Sequence, residues 1–442
     1  MTPADHWQDV RRLFLDVQCH RETFPVFAAG ATAIIHPKNY PEDVQALIDL
    51  MGWQSVADIP LDFNNEEHPE LASTGAPGAL PSKLHAKPGS TLRDLLTQTL
   101  DITSVPKRSL IRQLEFFTRE EMEIERLREL TAPGNEQDFY DYTSRPRRTI
   151  IELLRDFPGL KIPYQWALEL FPLIRGREFS ICNGGASLLG TPGYTLRIEI
   201  LVALVEYRTI IRKPRQGLCS RYIRHLPVGT PLTIGFKHPP SHILDPSHGQ
   251  HERPLIAVAT GTGIAPIRAL IQDRRVFSSP PPGKTLLFFG CRSQAADYFY
   301  RDEWENLLPN GVQVIPAFSR DPVATSDVPV LHPHEDGLPT APRAEDESVA
   351  SVGTAEGVIP SFDYDAGKNY VQHHIRKYAA QVGELMRQRP IVCVCGNAGR
   401  MPISVRNALL DALVASGVAE TVEASEAWLQ DGNNVTYWQE TW

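Results

Sequence analysis

The chain carries, between Pro254 and Arg268, the stretch Pro-Leu-Ile-Ala-Val-Ala-Thr-Gly-Thr-Gly-Ile-Ala-Pro-Ile-Arg. Its apolar run at 255–259 predicts a buried parallel strand, and Pro266 stands where the first turn of a helix tolerates a missing N–H. A strand, a glycine turn and a helix start bring free N–H groups and a positive helix end to one point, which favours a phosphate. The alternative is an ordinary strand-to-helix connection, because a short glycine pattern is a weak signal.

Size, charge and cysteine content limit the classes of protein to consider. A length of 442 residues predicts two or three domains at about 150 residues each, and the net charge of −9 disfavours nucleic acid as a partner. The sequence shows neither an apolar run near the ~20 residues that span a bilayer nor a secretory signal pattern. The chain has six cysteines, of which Cys393 and Cys395 are closely spaced and no second such pair occurs. This pattern indicates reduced thiols, a cytoplasmic setting and no metal site.

The first part of the chain alternates between strand and helix patterns. We interpret residues 1–16 as a linker remnant with a helical tendency, and 64–90 as an exposed loop. Strand patterns lie at 23–28, 31–39, 177–181, 195–204, 207–211 and 229–236. Helix patterns lie at 41–51, 92–100, 107–130, 147–157 and 164–171, with charged stripes that we assign to solvated faces. This order predicts an antiparallel β-barrel domain at 17–240 that contains an inserted α-helical subdomain at 91–173.

After a predicted linker at 241–253, the pattern becomes that of an α/β domain at 254–442. Strands are predicted at 255–259, 285–290, 312–318 and 391–395, and helices at 264–272, 298–307, 373–387 and 401–416. Such alternation predicts a doubly wound parallel sheet. Residues 321–366 are rich in Pro, Ser, Thr and acidic residues, and we expect them to form a disordered insertion.

Short motifs in both domains resemble those of the ferredoxin–NADP reductase superfamily, and especially of its diflavin branch, which includes the NADPH–hemoprotein reductases. The motifs are Arg177-Glu-Phe-Ser180, Arg215-Gln-Gly-Leu-Cys-Ser220, Ala259-Thr-Gly-Thr-Gly-Ile-Ala-Pro266, Phe289-Gly-Cys-Arg292 and Cys395-Gly-Asn-Ala-Gly-Arg-Met401. The helical insertion is typical of the diflavin branch. The resemblance covers about 17–442 and implies that FAD takes hydride from NADPH and then releases electrons singly.

The resemblance implies that the first motif holds the flavin. Arg177 would neutralise the FAD pyrophosphate, Phe179 would stack on the isoalloxazine ring in place of the family's tyrosine, and Ser180 would reach the N5 region. Without the other motifs, Phe179 is more typical of a core strand residue than of a flavin-stacking residue.

The second motif is expected to hold the FAD pyrophosphate. Gly217 would permit close backbone approach, and the amides of Leu218, Cys219 and Ser220, at the start of a helix predicted over 221–225, would face the phosphates. The alternative is a helix start capped by Ser220, and both interpretations can hold together.

The opening stretch is expected to hold NADPH. Gly261, Thr262 and Gly263 would meet its ribose and pyrophosphate, although this chain has Ala259-Thr260 where the family often has Gly-Pro. Pro266 replaces the third glycine of the NAD fingerprint, and no acidic residue for a ribose 2′-hydroxyl follows the second strand.

Cationic and hydroxyl side chains follow the next strands. The resemblance places Arg292 near phosphate and assigns Ser319, Arg320, Lys368 and Tyr370 to the 2′-phosphate, which suits a dianion. Lys368 and Tyr370 follow the predicted insertion, and by themselves they are typical of a solvated helix start.

The end of the chain supplies the last expected site residues. Cys395 would lie beside the nicotinamide, with Ser180 and Glu440 along the hydride path, and Trp442 would cover the flavin ring and move during turnover. For Cys395 the alternative is a buried strand-end cysteine.

The Glu-Thr-Trp ending and Arg145-Pro-Arg-Arg148 resemble the diflavin reductases of cytosolic iron–sulfur protein assembly, which pass electrons to anamorsin. An anamorsin-like iron–sulfur acceptor and an FMN domain are therefore the expected partners. FMN is expected only with a separate or missing N-terminal domain, because no flavodoxin-like phosphate loop precedes Asp5. The alternatives are another diflavin reductase, a stand-alone ferredoxin/flavodoxin–NADP reductase, and a non-catalytic scaffold in an assembly complex.

Overall fold

A computed structural model describes residues 1–18, 29–61, 89–188, 195–209, 214–238, 250–276, 283–307, 311–321 and 369–442. The chain forms two compact units, Met1–Pro240 and Ser241–Trp442. The strand predicted at 23–28, nearly all of the loop at 64–90 and of the insertion at 321–366, and Lys368 lie outside the described residues.

The strands of the first unit form antiparallel sheets. They are β1 (Val10–Gln18), β2 (Thr32–Ile35), β3 (Arg177–Ser180), β4 (Thr195–Ala203), β5 (Glu206–Arg208), β6 (Pro214–Gln216) and β7 (Ile234–Lys237). β1 pairs with β4, β2 lies between β3 and β7, and β5 pairs with β6. A bridge between Ile181 and Ile200 links β4 to the segment after β3, and both side chains lie in one apolar core.

Residues 10–16 belong to β1, so the helical tendency assigned to 1–16 is wrong. Leu13, Leu15 and Val17 alternate with more exposed residues and pack against the core shared with β2 and β4. An apolar period of two residues places these side chains on one face of a strand, whereas a helix would scatter them.

The helices of the first unit are α1 (Pro41–Met51), α2 (Leu92–Gln98), α3 (Arg108–Leu114), α4 (Glu121–Thr131), α5 (Glu136–Tyr142), α6 (Ile150–Asp156), α7 (Ala167–Leu170) and α8 (Leu218–His225). The predicted helix at 41–51 is confirmed, and α1 shares one apolar core with the helical block. A single helix over 107–130 is wrong. The chain turns extended at Thr118, whose hydroxyl donates to Glu123 (2.6 Å) and accepts from the Glu120 amide, and this starts a separate helix.

The second unit contains the predicted parallel sheet. Its strands are β8 (Leu255–Thr260), β9 (Thr285–Cys291), β10 (Val312–Phe318), β11 (Ile391–Gly396) and β12 (Thr436–Thr441), in the spatial order β10-β9-β8-β11-β12. All four pairings are parallel. β8 and β11 are neighbours although β9 and β10 come between them in sequence, which makes a topological switch point with a crevice at the carboxyl ends of the strands.

Helices flank this sheet. They are α9 (Ile264–Arg274), α10 (Arg301–Glu305), α11 (Val371–Lys377), α12 (Ala379–Met386), α13 (Met401–Ala415) and α14 (Val422–Gln430). The predicted helix at 373–387 is divided at Tyr378, and α14 and β12 were not predicted. Within the predicted linker, Gln250–Glu252 forms a 3-10 turn in which His251 is buried. Within the described residues, no helix is long and apolar enough to cross a membrane.

Candidate functional site

The first predicted flavin motif lies on β3, opposite β2. Arg177 pairs with Ile35 and Phe179 with Ala33, so both side chains share the face that covers the apolar core. Phe179 is half-buried and packs against that core, and its interpretation as a core strand residue therefore stays open. Arg177 is exposed, and its Nη1 donates to the Arg175 carbonyl at 2.7 Å. Ser180 lies on the opposite face.

The second predicted flavin motif forms the start of α8. The helix begins at Leu218, with Gly217 as its N-cap, so the prediction of Ser220 as the cap is wrong. The Ser220 hydroxyl instead accepts from the Val205 amide at 2.8 Å, and the Gly217 amide donates to the Val205 carbonyl at 3.2 Å. Gly217 offers no side chain to the first-turn amides, which include those of Cys219 and Ser220 and which leave a place for an anion.

The charge of Arg177 in the first flavin motif acts on the second motif. Burial raises the pKa of the Cys219 thiol to about 11, and the positive charge of Arg177 opposes that rise. A cation beside uncapped helix amides suits a pyrophosphate, and the described residues here fit that group.

In the second unit, the glycine turn after β8 touches the end of β11. Gly261 has a φ of +53°, and a Cβ on Gly263 would overlap the Cys395 carbonyl group. Gly396, with a φ of +142°, lies directly against the Thr260 side chain. Thr262 is the middle residue of this 3-10 turn, which leads into α9. Gly263 and Gly396 therefore allow the ends of β8 and β11 to meet at the switch point.

The predicted phosphate residues gather where β9 and β10 end. The Ser319 amide donates to the Cys291 carbonyl at 2.9 Å, and the Arg320 amide donates to the Arg292 carbonyl at 2.8 Å. Burial lowers the pKa of Arg292, and the charge of Arg320 lowers it further. Two guanidinium groups held close together fit a dianionic phosphate, which would relieve their repulsion.

Asp297 holds the loop after β9 and was not identified from the sequence. This buried carboxylate accepts hydrogen bonds from the Arg292 and Ser293 amides at 2.7 to 3.0 Å. An acidic residue a few positions after a strand end is the only sequence signal for such a role.

Tyr370 reaches the same edge of the sheet at the start of α11. It is the N-cap residue, is half-buried, and its ring centroid lies 5.8 Å from that of His373. A Cβ on Gly290 of β9 would lie 2.9 Å from the neighbouring Val371. The start of α11 therefore packs beside the carboxyl end of β9.

The predicted catalytic residues of the second unit lie on β11, on β12 and, for Trp442, directly after β12. Cys395 pairs with Glu440 in register, and its thiol is fully buried. Burial raises the pKa of that thiol well above its ordinary value, and Cys393 and Glu440 raise it further, so it stays protonated at neutral pH. The Trp442 amide donates to the Gly396 carbonyl at 3.1 Å, and Trp442 is 53% exposed.

The assignment of charged helical residues to solvated faces is wrong for Glu152. Its Oε1 accepts from Nη1 of Arg215 in the second flavin motif at 2.7 Å, and the two side chains are 20% and 12% exposed. The partners are far apart in sequence, so no local pattern predicts the pair.

Comparisons with known proteins match both units. Residues 14–222 match the FAD binding domain family, and residues 257–331 match the oxidoreductase NAD-binding domain family. The chain is 36% identical over 446 residues to NADPH-dependent diflavin oxidoreductase 1 of Gibberella zeae, covering 100% of the chain and 63% of that protein. It is 35% identical to the protein of the same name from Aspergillus fumigatus and 36% to that from Emericella nidulans, in each case covering 100% of the chain and 62% of the relative.

Proposed function

We propose that the chain belongs to the family of NADPH-dependent diflavin oxidoreductases, and that it oxidises NADPH with bound FAD and passes electrons on singly. The chain spans about three-fifths of the length of these relatives, 63% of the protein from Gibberella zeae. The observation that carries the proposal is the arrangement of Arg292, Ser319 and Arg320 at one edge of the parallel sheet, beside the glycine turn. That arrangement suits a dinucleotide with an additional phosphate.

In the first unit, Arg177 and the amides of Leu218, Cys219 and Ser220 would hold the FAD pyrophosphate. Gly217 would let the backbone approach it, although a Cβ there would meet Ser220 Oγ only at 3.6 Å, so the fold itself does not require glycine. We assign Phe179 to the ring and Ser180 to the N5 region. When bound, FAD supplies the ability to accept a hydride at N5 and to release electrons one at a time.

In the second unit, the glycine turn would hold the NADPH ribose and pyrophosphate through Gly261, Thr262 and Gly263. Arg292, Ser319 and Arg320 would bind the 2′-phosphate, with Lys368 and Tyr370 as the remaining proposed contacts. The proximity of Arg292 and Arg320 supports this assignment, because two cations discriminate strongly between NADPH and NADH.

We propose that Cys395, Glu440 and Trp442, together with Ser180, serve hydride transfer. The high pKa of the buried Cys395 thiol makes it a neutral packing group rather than a base. Glu440 beside it is the acidic candidate, and the exposed Trp442 indole is the aromatic group assigned to the flavin ring.

At the level of fold, we propose that β1–β7 form one antiparallel barrel that starts with β1 at Val10, earlier than the expected range of 17–240, with the helical subdomain at 91–173 inserted. We also propose that 254–442 is a doubly wound NADP-binding domain. The proposed route onward is through an FMN domain to an anamorsin-like iron–sulfur acceptor in the cytoplasm. Support for this route comes from the diflavin names of the relatives and from the Glu440-Thr-Trp442 ending.

Purification and a steady-state assay test this function. We expect the chain to bind FAD stoichiometrically and to reduce ferricyanide with NADPH, with a much higher KM for NADH. A chain that binds FAD but reduces no acceptor with either nucleotide would contradict the proposal and favour the scaffold alternative.

A further inference from the structure

The helical block is joined to the second flavin motif by a largely buried ion pair. Arg215 lies in β6, just before Gly217, and its Nη1 donates to Glu152 Oε1 at 2.7 Å. Its Nε also donates to the Pro146 carbonyl at 3.2 Å. Arg215 is only 12% exposed and Glu152 20%, so most of both charged groups is removed from water.

Both oxygens of Glu152 have a defined partner. As the third residue of α6, it accepts from the Thr149 amide through Oε2 at 3.0 Å, while Thr149 Oγ1 accepts from the Glu152 amide at 3.2 Å. This capping box fixes the carboxylate at the start of the helix. Arg215 is therefore bound to a rigid group rather than to a mobile surface side chain.

The β5–β6 hairpin connects the ion pair between Arg215 and Glu152 to the start of α8. Arg215 pairs with Tyr207 in register, and the Arg147 guanidinium lies 4.0 Å from the Tyr207 ring centroid. At the base of the hairpin, Val205 bonds to the Gly217 amide and to the Ser220 hydroxyl. Pro146, Arg147 and Glu152 of the helical block thus fix the position of the β5–β6 hairpin. α8 begins directly after this hairpin.

We propose that Glu152 is a positioning residue for the flavin, acting through Arg215 to place the first-turn amides of α8 at the FAD pyrophosphate. The inference rests on the proposed FAD site and deepens it. Arg215 belongs to the flavin motif by sequence, yet its charge is directed to Glu152. Removing the carboxylate leaves a shielded guanidinium without its charge partner, which is strongly unfavourable. The hairpin then relaxes to hydrate Arg215, and FAD binding must order it again.

Substitution of Glu152 by glutamine separates the two tasks of this side chain. Glutamine also completes a capping box, so Glu152→Gln keeps the start of α6 and removes only the negative charge. We expect FAD to bind at least tenfold more weakly to Glu152→Gln and to Arg215→Gln, measured by titrating the apo-protein with FAD. The double variant should bind FAD at least as tightly as the single variant with the lower FAD affinity, because the two residues act as one unit.

Asp94 provides a matched control in the same helical block. It is the acidic residue of the capping box at α2, where it accepts from Thr91. Asp94→Asn should leave FAD affinity within twofold of the parent chain. NADP⁺ affinity, a property of the second unit, should be unchanged in every variant.

Conservative replacement of the cation distinguishes positioning from general stability. Arg215→Lys keeps the charge but loses the planar fork, so its FAD affinity should lie between those of the parent and Arg215→Gln. Parent-like FAD affinity in Glu152→Gln and Arg215→Gln would overturn the inference. If circular dichroism shows that Glu152→Gln is unfolded, the FAD affinity of Arg215→Lys decides the question. Parent-like FAD affinity in Arg215→Lys would then overturn the inference. Failure of the parent chain to bind FAD would refute the proposed function instead.

Discussion

Gly263→Ala tests whether the glycine turn serves the fold as well as a ligand. An added Cβ would overlap the Cys395 carbonyl oxygen and lie 2.6 Å from its carbon and 2.7 Å from Gly396 Cα, well inside ordinary contact. All three atoms are backbone atoms at the end of β11, so they cannot move aside as a flexible side chain would. Overpacking of this kind costs about 1–3 kcal/mol, and we expect a value near the upper end.

Denaturant unfolding, with and without saturating NADP⁺, measures this cost in the second unit. NADP⁺ should shift only the transition of the unit that binds it, which identifies that transition. A loss of about 3 kcal/mol corresponds to a fall in Tm of roughly 6–12 °C for a unit of this size. NADP⁺ binding should weaken in parallel, because the turn and the end of β11 move together.

Gly432→Ala is the matched control for that experiment. Gly432 lies in the same unit, and a Cβ there would have nothing within 4 Å. We expect its unfolding free energy to stay within about 1 kcal/mol of the parent chain. Coincident transitions for Gly263→Ala and Gly432→Ala would refute the steric reasoning.

Three other predictions follow from the second unit and the buried thiols. Arg320→Ala should weaken NADP⁺ binding by about 2 kcal/mol, roughly 30-fold, and leave NAD⁺ binding unchanged in parallel calorimetric titrations; an equal loss for both nucleotides would contradict the 2′-phosphate assignment. Trp442→Ala should change the NADPH/NADH preference in steady-state assays while Trp442→Phe keeps it, and an unchanged preference would reject the aromatic role. Burial raises the pKa of Cys219 to about 11 and of Cys393 to about 12 from an ordinary 9.0, so the folded chain retains protons that the unfolded chain loses. The stabilisation is complete below pH 9 and lost as pH rises toward these values, so the free energy of unfolding should fall between pH 9 and 11, by up to about 1.4 kcal/mol per pH unit per thiol. Cys393→Ala should flatten this fall, and an identical slope would count against the thiol as its source.

The parallel sheet was predictable because its central strands are continuous apolar runs bounded by glycine or polar turns. β12 was missed because Thr436–Thr441 mixes polar and apolar residues, as suits an edge strand, and only pairing with β11 defines it. β1 was obscured by its charged residues Arg11, Arg12 and Asp16, although the apolar period of two was present at Leu13, Leu15 and Val17.

In the site, too, the local sequence predicts some features, whereas contacts between residues distant in sequence determine others. Gly261 and Gly263 predict a tight turn from the local sequence. The steric requirement for glycine at 263 comes instead from the carbonyl group of Cys395, which is distant in sequence. Likewise, the acidic residue of a capping box is a local signal at Glu152, whereas its ion pair with Arg215 depends on how the helical block meets the β5–β6 hairpin. Local chemistry therefore gave candidate residues, and tertiary packing determined their partners.

Anaerobic titration of the FAD-loaded chain with NADPH measures hydride transfer directly. Because a hydride carries two electrons, flavin absorbance should bleach completely with about one NADPH per bound FAD, and far more slowly with NADH. Flavin that stays oxidised in excess NADPH would contradict the assignment of this chain as an NADPH-oxidising flavoprotein.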